Sequence, residues 1–138
     1  MALVLGADGI YMGTRFMVTR ESASHSSVKE AIVRSRDVCT VSVPKDFMLA
    51  RDLANAFTRQ YLEMKNAGAG AEKLNAYLNK RDQYQSQFIG EADDAEICCG
   101  QVAGLIDNVP SAGEVISDVT GGISAYFKDL KRKLADFL

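Results

Sequence analysis

The chain has 138 residues, enough for one domain with a core of its own, and its 47% hydrophobic and 25% charged residues are those of a globular protein. A net charge of −2 leaves no broad basic surface, which argues against a nucleic-acid partner. The longest uncharged apolar run, "ICCGQVAGLI", is far too short for a membrane span, and the opening "MALVLGA" lacks the basic region and length of a secretory signal.

In chain order, residues 1–6 read as a helix tail that Gly6 stops in the left-handed conformation. Asp8-Gly9 makes a turn, and Ile10–Met12 ("IYM") is short, apolar and β-prone, as a strand buried on both faces would be. Thr14 opens a short helix. Ser24, Ser26 and Ser27 are candidate N-caps for a helix through "VKEAIVRSR". Val38–Val43 is a second, weaker strand, ended by Pro44. From Phe47 to about Ala67, Leu49, Leu53, Phe57, Tyr61 and Met64 recur every three or four positions and predict one long helix. Residues 70–88 form a weaker helix. The acids that open "DDAEICCGQVAGLID" suit a further helix start, although Gly100 and Gly104 follow. After Pro110-Ser111, the apolar series Ile116, Val119, Ile123, Tyr126, Leu130, Leu134 and Phe137 predicts an amphipathic last helix, weakened in its middle by Gly121-Gly122. Its solvated face carries Lys128, Lys131, Arg132 and Lys133. The chain is thus expected to be predominantly helical with one or two short strands, like a piece of an α/β fold.

Several residues invite a chemical reading. Gly13-Thr14 at the end of a buried strand would admit a phosphate: glycine lets the anion approach the main chain, and the amides that follow and the Thr hydroxyl can donate to it. His25 is the only histidine and precedes a helix, where a structural role is expected. Cys39, Cys98 and Cys99 are an odd set with one adjacent pair, which points to a reducing cytosol and offers no zinc-type spacing. Asp93, Asp94 and Glu96 are read as acids of a helix start. Gln101, a polar side chain between two glycines, is a candidate to reach a ligand.

Five segments, "LGADGIYMGTRF", "ESASHSSVKEAIV", "FTRQYLEM", "CGQVAGLI" and "SAGEVISDV", follow one another in an order and spacing that resemble the C-terminal part of the FMN-dependent nitronate monooxygenases, formerly 2-nitropropane dioxygenases, with the enoyl-acyl-carrier-protein reductases II as a close branch. The resemblance implies a TIM-barrel parent with FMN at its C-terminal face. On that reading residues 1–22 hold the last strand and phosphate-binding turn, residues 23–110 a helical lid subdomain, and residues 111–138 an amphipathic helix packed back on the barrel. Gly13 and Thr14 would bind the FMN phosphate, and Cys98, Gly100 and Gln101 would border the substrate pocket. The segment "KEAIVRSRDVCTVSV" leans toward the reductase branch.

A whole barrel takes about 250 residues. The resemblance therefore places the second phosphate-binding Gly-Gly-Ile, the flavin-ring contacts and the catalytic His upstream of Met1, with no catalytic residue in this chain. Gly121-Gly122-Ile123 spells that tripeptide but lies in the last helix, on the wrong side of the motif. The expected function is that of the C-terminal part of an FMN-dependent oxidoreductase, acting on a nitronate or an enoyl thioester with NAD(P)H as a reductant of the second class and a homo-oligomer as a further expectation. The chain alone is expected to be inactive. The alternative is a non-catalytic helical remnant that self-associates through residues 1–16.

Overall fold

The computed structural model describes residues 2–46 and 48–135. Phe47 and Phe137, which the periodicity assigned to helices, lie outside the described residues. The elements in order are α1 (Thr14–Met17), α2 (Ser26–Arg34), β1 (Thr40–Pro44), β2 (Leu49–Leu53), α3 (Ala56–Asn66), α4 (Ala71–Lys80) and α5 (Ala112–Ala135). Short helical turns occur at Leu3–Leu5, Gln85–Ile89 and Gln101–Leu105. The chain is mostly helical with two strands.

The helix expected over residues 70–88 ends at Lys80, with a separate helical turn at Gln85–Ile89, and four further expectations change. Ile10–Met12 form no strand: among the described residues their backbone has no strand partner, and Tyr11 is 99% exposed. A strand needs a neighbour to satisfy its amides and carbonyls. The long helix from Phe47 is also replaced. Leu49–Leu53 pair antiparallel with Thr40–Pro44, so Leu49 and Leu53 belong to β2, and the helix starts only at Ala56. A four-residue spacing of leucines fits both periods at its even positions, and the hairpin wins because the strand-prone β1 offers a ladder to pair with. Third, the cap of α2 is His25 rather than a serine: its Nδ1 accepts from the Ser27 amide at 3.2 Å. The Ser27 hydroxyl instead donates to the Gly90 carbonyl at 2.8 Å.

The fourth change matters most for the site. The segment beginning at Asp93 is not a helix. Residues 97–99 run antiparallel along the free edge of β2, with the Leu53 amide donating to the Ile97 carbonyl at 2.9 Å and the Cys99 amide to the Arg51 carbonyl at 3.1 Å. These two bonds flank Asp52 and Cys98, which face each other as an antiparallel pair. After Gly100 the chain coils into the helical turn Gln101–Leu105.

Two cores hold this frame. Val18, Val28, Ile32, Leu53, Ile97 and Ile106 form one, between α2, β2 and the 97–106 segment. Val43, Phe57, Tyr61, Leu74 and Tyr77 form the other, where α3 and α4 cover the hairpin and the Phe57 and Tyr77 rings stack with centroids 5.3 Å apart. The start of α5 is tied down by polar contacts: Arg20 donates its amide to the Pro110 carbonyl and its guanidinium to Glu114, and the Ala112 amide donates to Glu21. Bonds from the Ser111 amide and hydroxyl hold the Glu114 carboxyl below its usual range. Beyond Val115 the described part of α5 has no buried residue.

Gly104 is a close-approach glycine. A Cβ there would stand 2.5 Å from the Asp37 carbonyl oxygen, and Asp37 is itself held at a φ of 44°. Gly104→Ala forces a Cβ against the Asp37 backbone, which cannot rotate away as a side chain can, so urea denaturation should show a loss of about 2 kcal/mol. An unchanged midpoint would mean that the two loops separate freely.

Candidate active-site cleft

The expected phosphate turn and the expected pocket segment meet. Gly13 precedes α1, and the Thr14 Oγ1 accepts from the Gly100 amide at 2.9 Å, a bond between residues 86 positions apart. Gly13, Thr14, Cys98 and Gly100 line one open cleft of about 690 Å³, together with Tyr11, Met17, Met48 and Arg51. Arg51 is braced by bonds to Thr40 Oγ1 and Ser42 Oγ on the facing strand. Gln101 is exposed and stands outside the lining of this cleft. The structure thus brings four of the five candidates to one cleft and leaves Gln101 out of its lining.

The donors near the turn are suited to an anion. The Thr14 hydroxyl uses its oxygen to accept from Gly100, which leaves its proton free to donate. The amides of Thr14, Arg15 and Phe16 have no backbone acceptor among the described residues, as the first amides of a helix do not. Gly13 has open space where a Cβ would stand.

Behind Cys98 lies a polar cluster. The Cys98 thiol lies 2.9 Å from Asp52 Oδ1 and 3.1 Å from Glu96 Oε1, and Lys45 Nζ pairs with the same Glu96 oxygen. Asp52 is fully buried and Glu96 nearly so. Asp52 Oδ2 has no hydrogen-bond partner among the described residues. Burial raises the Asp52 carboxyl, a shift that the Cys98 bond only partly opposes. Burial also works against the charge of Lys45, but the bond and the field of Glu96 outweigh it and raise the lysine. Burial, then the two carboxylates, push the Cys98 thiol up, and burial pushes Cys99 up to about 12. Neither cysteine is poised as a nucleophile.

The sequence reading passed over this cluster. Asp52 sat inside a supposed helix and Glu96 among supposed helix-start acids. The available signal was alternation: Glu96 and Cys98 are two apart, which puts them on one face once the segment is extended.

A family model described as nitronate monooxygenase matches residues 1–122. The chain belongs to the nitronate monooxygenase family. It is 38% identical over 125 residues to a probable nitronate monooxygenase of Staphylococcus aureus strain MSSA476, which covers 89% of this chain and 34% of the relative. With the probable nitronate monooxygenase of strain JH9 it shares 38% over 61 residues. Among solved structures it resembles FabK from Thermotoga maritima, with a TM-score of 0.79 and 30% identity over 99% of this chain and 42% of that one. The M276A mutant of the same FabK gives 0.69 and 29%. The chain thus spans about a third of the curated relative and under half of the structural one. The match to both nitronate monooxygenases and FabK agrees with the two branches that the five sequence segments suggested. Among the described residues, no helix is long and apolar enough to cross a membrane.

Proposed function

We propose that this chain is the C-terminal part of an FMN-dependent oxidoreductase of the nitronate monooxygenase or enoyl reductase II type. The observation that carries the reading is the Thr14–Gly100 bond. It joins the turn that resembles a phosphate site to the segment that resembles a substrate wall, at the rim of one cleft.

The residues fit the phosphate of FMN. Thr14 would donate its free hydroxyl proton, the amides of Thr14 to Phe16 would supply further donors, and Gly13 would let the anion close to the main chain. FMN, when bound, would supply the electron transfer, with NAD(P)H as reductant in the reductase branch. The chain's own part is to hold the phosphate, to border the substrate with Cys98 and Gly100, and to cover the flavin with residues 23–110 as a lid. Substrates would be small: a nitronate or an enoyl thioester.

The parent would be a TIM barrel, and the rest of that barrel would cover the apolar surface left bare here. Leu5 and Ile10 are exposed, as are Ile116, Val119, Tyr126 and Phe127 on α5. Burying such side chains stabilises by about 1.5 to 3 kcal/mol each, so this surface is a seat for the upstream segment.

The test is a chimera in which residues 1–138 replace the matching C-terminal part of FabK from Thermotoga maritima. FMN content and turnover of a nitronate and of an enoyl thioester would be measured. Thr14→Val should weaken FMN about ten- to a hundredfold, the worth of a bond to a charged group. Thr14→Ser, which keeps the hydroxyl, should restore it. A folded chimera that holds no FMN would overturn the reading.

A further inference from the structure

We propose that Cys98, Asp52 and Glu96 form a binding site for a divalent metal ion of the zinc class, at the inner wall of the cleft. One ligand atom from each of the three lies within 4.8 Å of the other two. The fold enforces this. The bonds on either side of Asp52 and Cys98 make them a non-hydrogen-bonded antiparallel pair, the kind whose side chains stand closest. Glu96 then falls on the same face by the period of two.

Three observations point to a cation rather than to a plain hydrogen-bond cluster. Asp52 Oδ2 is buried without a partner among the described residues, a costly state for a carboxylate oxygen. A single thiol proton serves two carboxylates, at 2.9 and 3.1 Å. The one cation in contact among the described residues, Lys45, pairs with Glu96 and not with Asp52. A divalent ion in place of the thiol proton would satisfy both carboxylates at once. The charges also close: thiolate and two carboxylates carry three negative charges, which the ion and Lys45 match.

The ligand set selects the ion. Thiolate favours zinc-like metals, while magnesium and calcium prefer oxygen alone. Zinc bound to one sulfur and two oxygens would separate sulfur from oxygen by about 3.5 Å, so the ligands must open by about half an ångström. Cys98 lines the cleft, which leaves the fourth position of a tetrahedron for water or a ligand entering there. On binding, the Cys98 S–H bond breaks, its proton passes to the buffer, and a sulfur–metal bond forms with no change of oxidation state.

The 138-residue chain, stripped with a chelator, would be titrated with Co²⁺ and read by its thiolate-to-cobalt charge-transfer band. A band that saturates at one equivalent, is displaced by Zn²⁺ and ignores Mg²⁺ is expected. Cys98→Ser should abolish it. Asp52→Asn should weaken Co²⁺ by about tenfold or more, and Cys39→Ser with Cys99→Ala should leave it intact, with circular dichroism confirming the fold of each variant. Absence of the band, its survival in Cys98→Ser, or an unchanged affinity in Asp52→Asn would overturn the site, the second outcome marking an adventitious ion on the other thiols.

Discussion

Lys45→Met is expected to destabilise the chain by about 3 kcal/mol, the lower end for removing one partner of a buried ion pair. The lower end applies because the lysine side chain keeps 17% of its surface exposed, while that of Glu96 keeps 7%. The loss is not the worth of the pair itself. It is the cost of leaving Glu96 charged and unpaired beside Asp52, which already has an oxygen without a partner among the described residues. The double variant Lys45→Met with Glu96→Met should recover most of the loss, since two apolar side chains of similar length remove both the charge and its counter-charge. Urea denaturation of the single and double variants closes the cycle. If Lys45→Met changes stability by less than about half a kcal/mol, the lysine is solvated and Glu96 is neutralised by another route.

What the sequence made legible was local chemistry with a single reading. Gly6 does take a φ of 86°, Thr14 does open a helix, and Pro110 does precede a long one. The five ordered segments carried the family, because order and spacing survive even where each segment is short. The elements that failed are those decided by a partner. Leu49 and Leu53 fit a helix as well as a strand until β1 is placed beside them. Ile10–Met12 have the composition of a buried strand, and among the described residues no neighbour pairs with them. The acids of 93–96 suit a helix start, yet Asp93 and Asp94 lie in a single turn whose flanking carbonyls, Ala92 and Ala95, take the Asn55 side-chain amide, and the chain then runs along the edge of β2.

The candidate site shows the same division. Gly13 and Thr14 were visible as a type of turn, and Cys98 and Gly100 as neighbours of a pocket. Their meeting through one hydrogen bond across 86 positions was not readable from spacing. Asp52 was not readable as the neighbour of Cys98 because a residue's burial and its facing partner are tertiary facts. Gln101 is exposed and lies outside the lining of this cleft, which its place between glycines did not foretell.

Asn55→Ala should cost about 3 kcal/mol, and it should also loosen the wall of the cleft. Asn55 acts in two directions. Its Oδ1 accepts from the Thr58 amide at 3.1 Å while the Thr58 hydroxyl accepts from the Asn55 amide, a reciprocal cap at the start of α3. Its Nδ2 donates to the carbonyls of Ala92 at 3.0 Å and Ala95 at 2.8 Å, some forty positions on. Losing the cap costs about 1 kcal/mol, and each buried carbonyl left without a donor about 1 more. Asn55→Ser separates the two roles: serine can cap but is too short to reach Ala92 and Ala95, so it should recover only about 1 kcal/mol. Hydrogen exchange distinguishes the consequences. The Cys99 amide, bonded to Arg51, lies four residues beyond Ala95 and holds the strand that carries Cys98. If Asn55 anchors that strand, the Cys99 amide should exchange faster in both variants, by more than the loss of global stability explains. If exchange there merely follows global unfolding, the β2 edge alone holds the strand, and the role of Asn55 ends at the helix it caps.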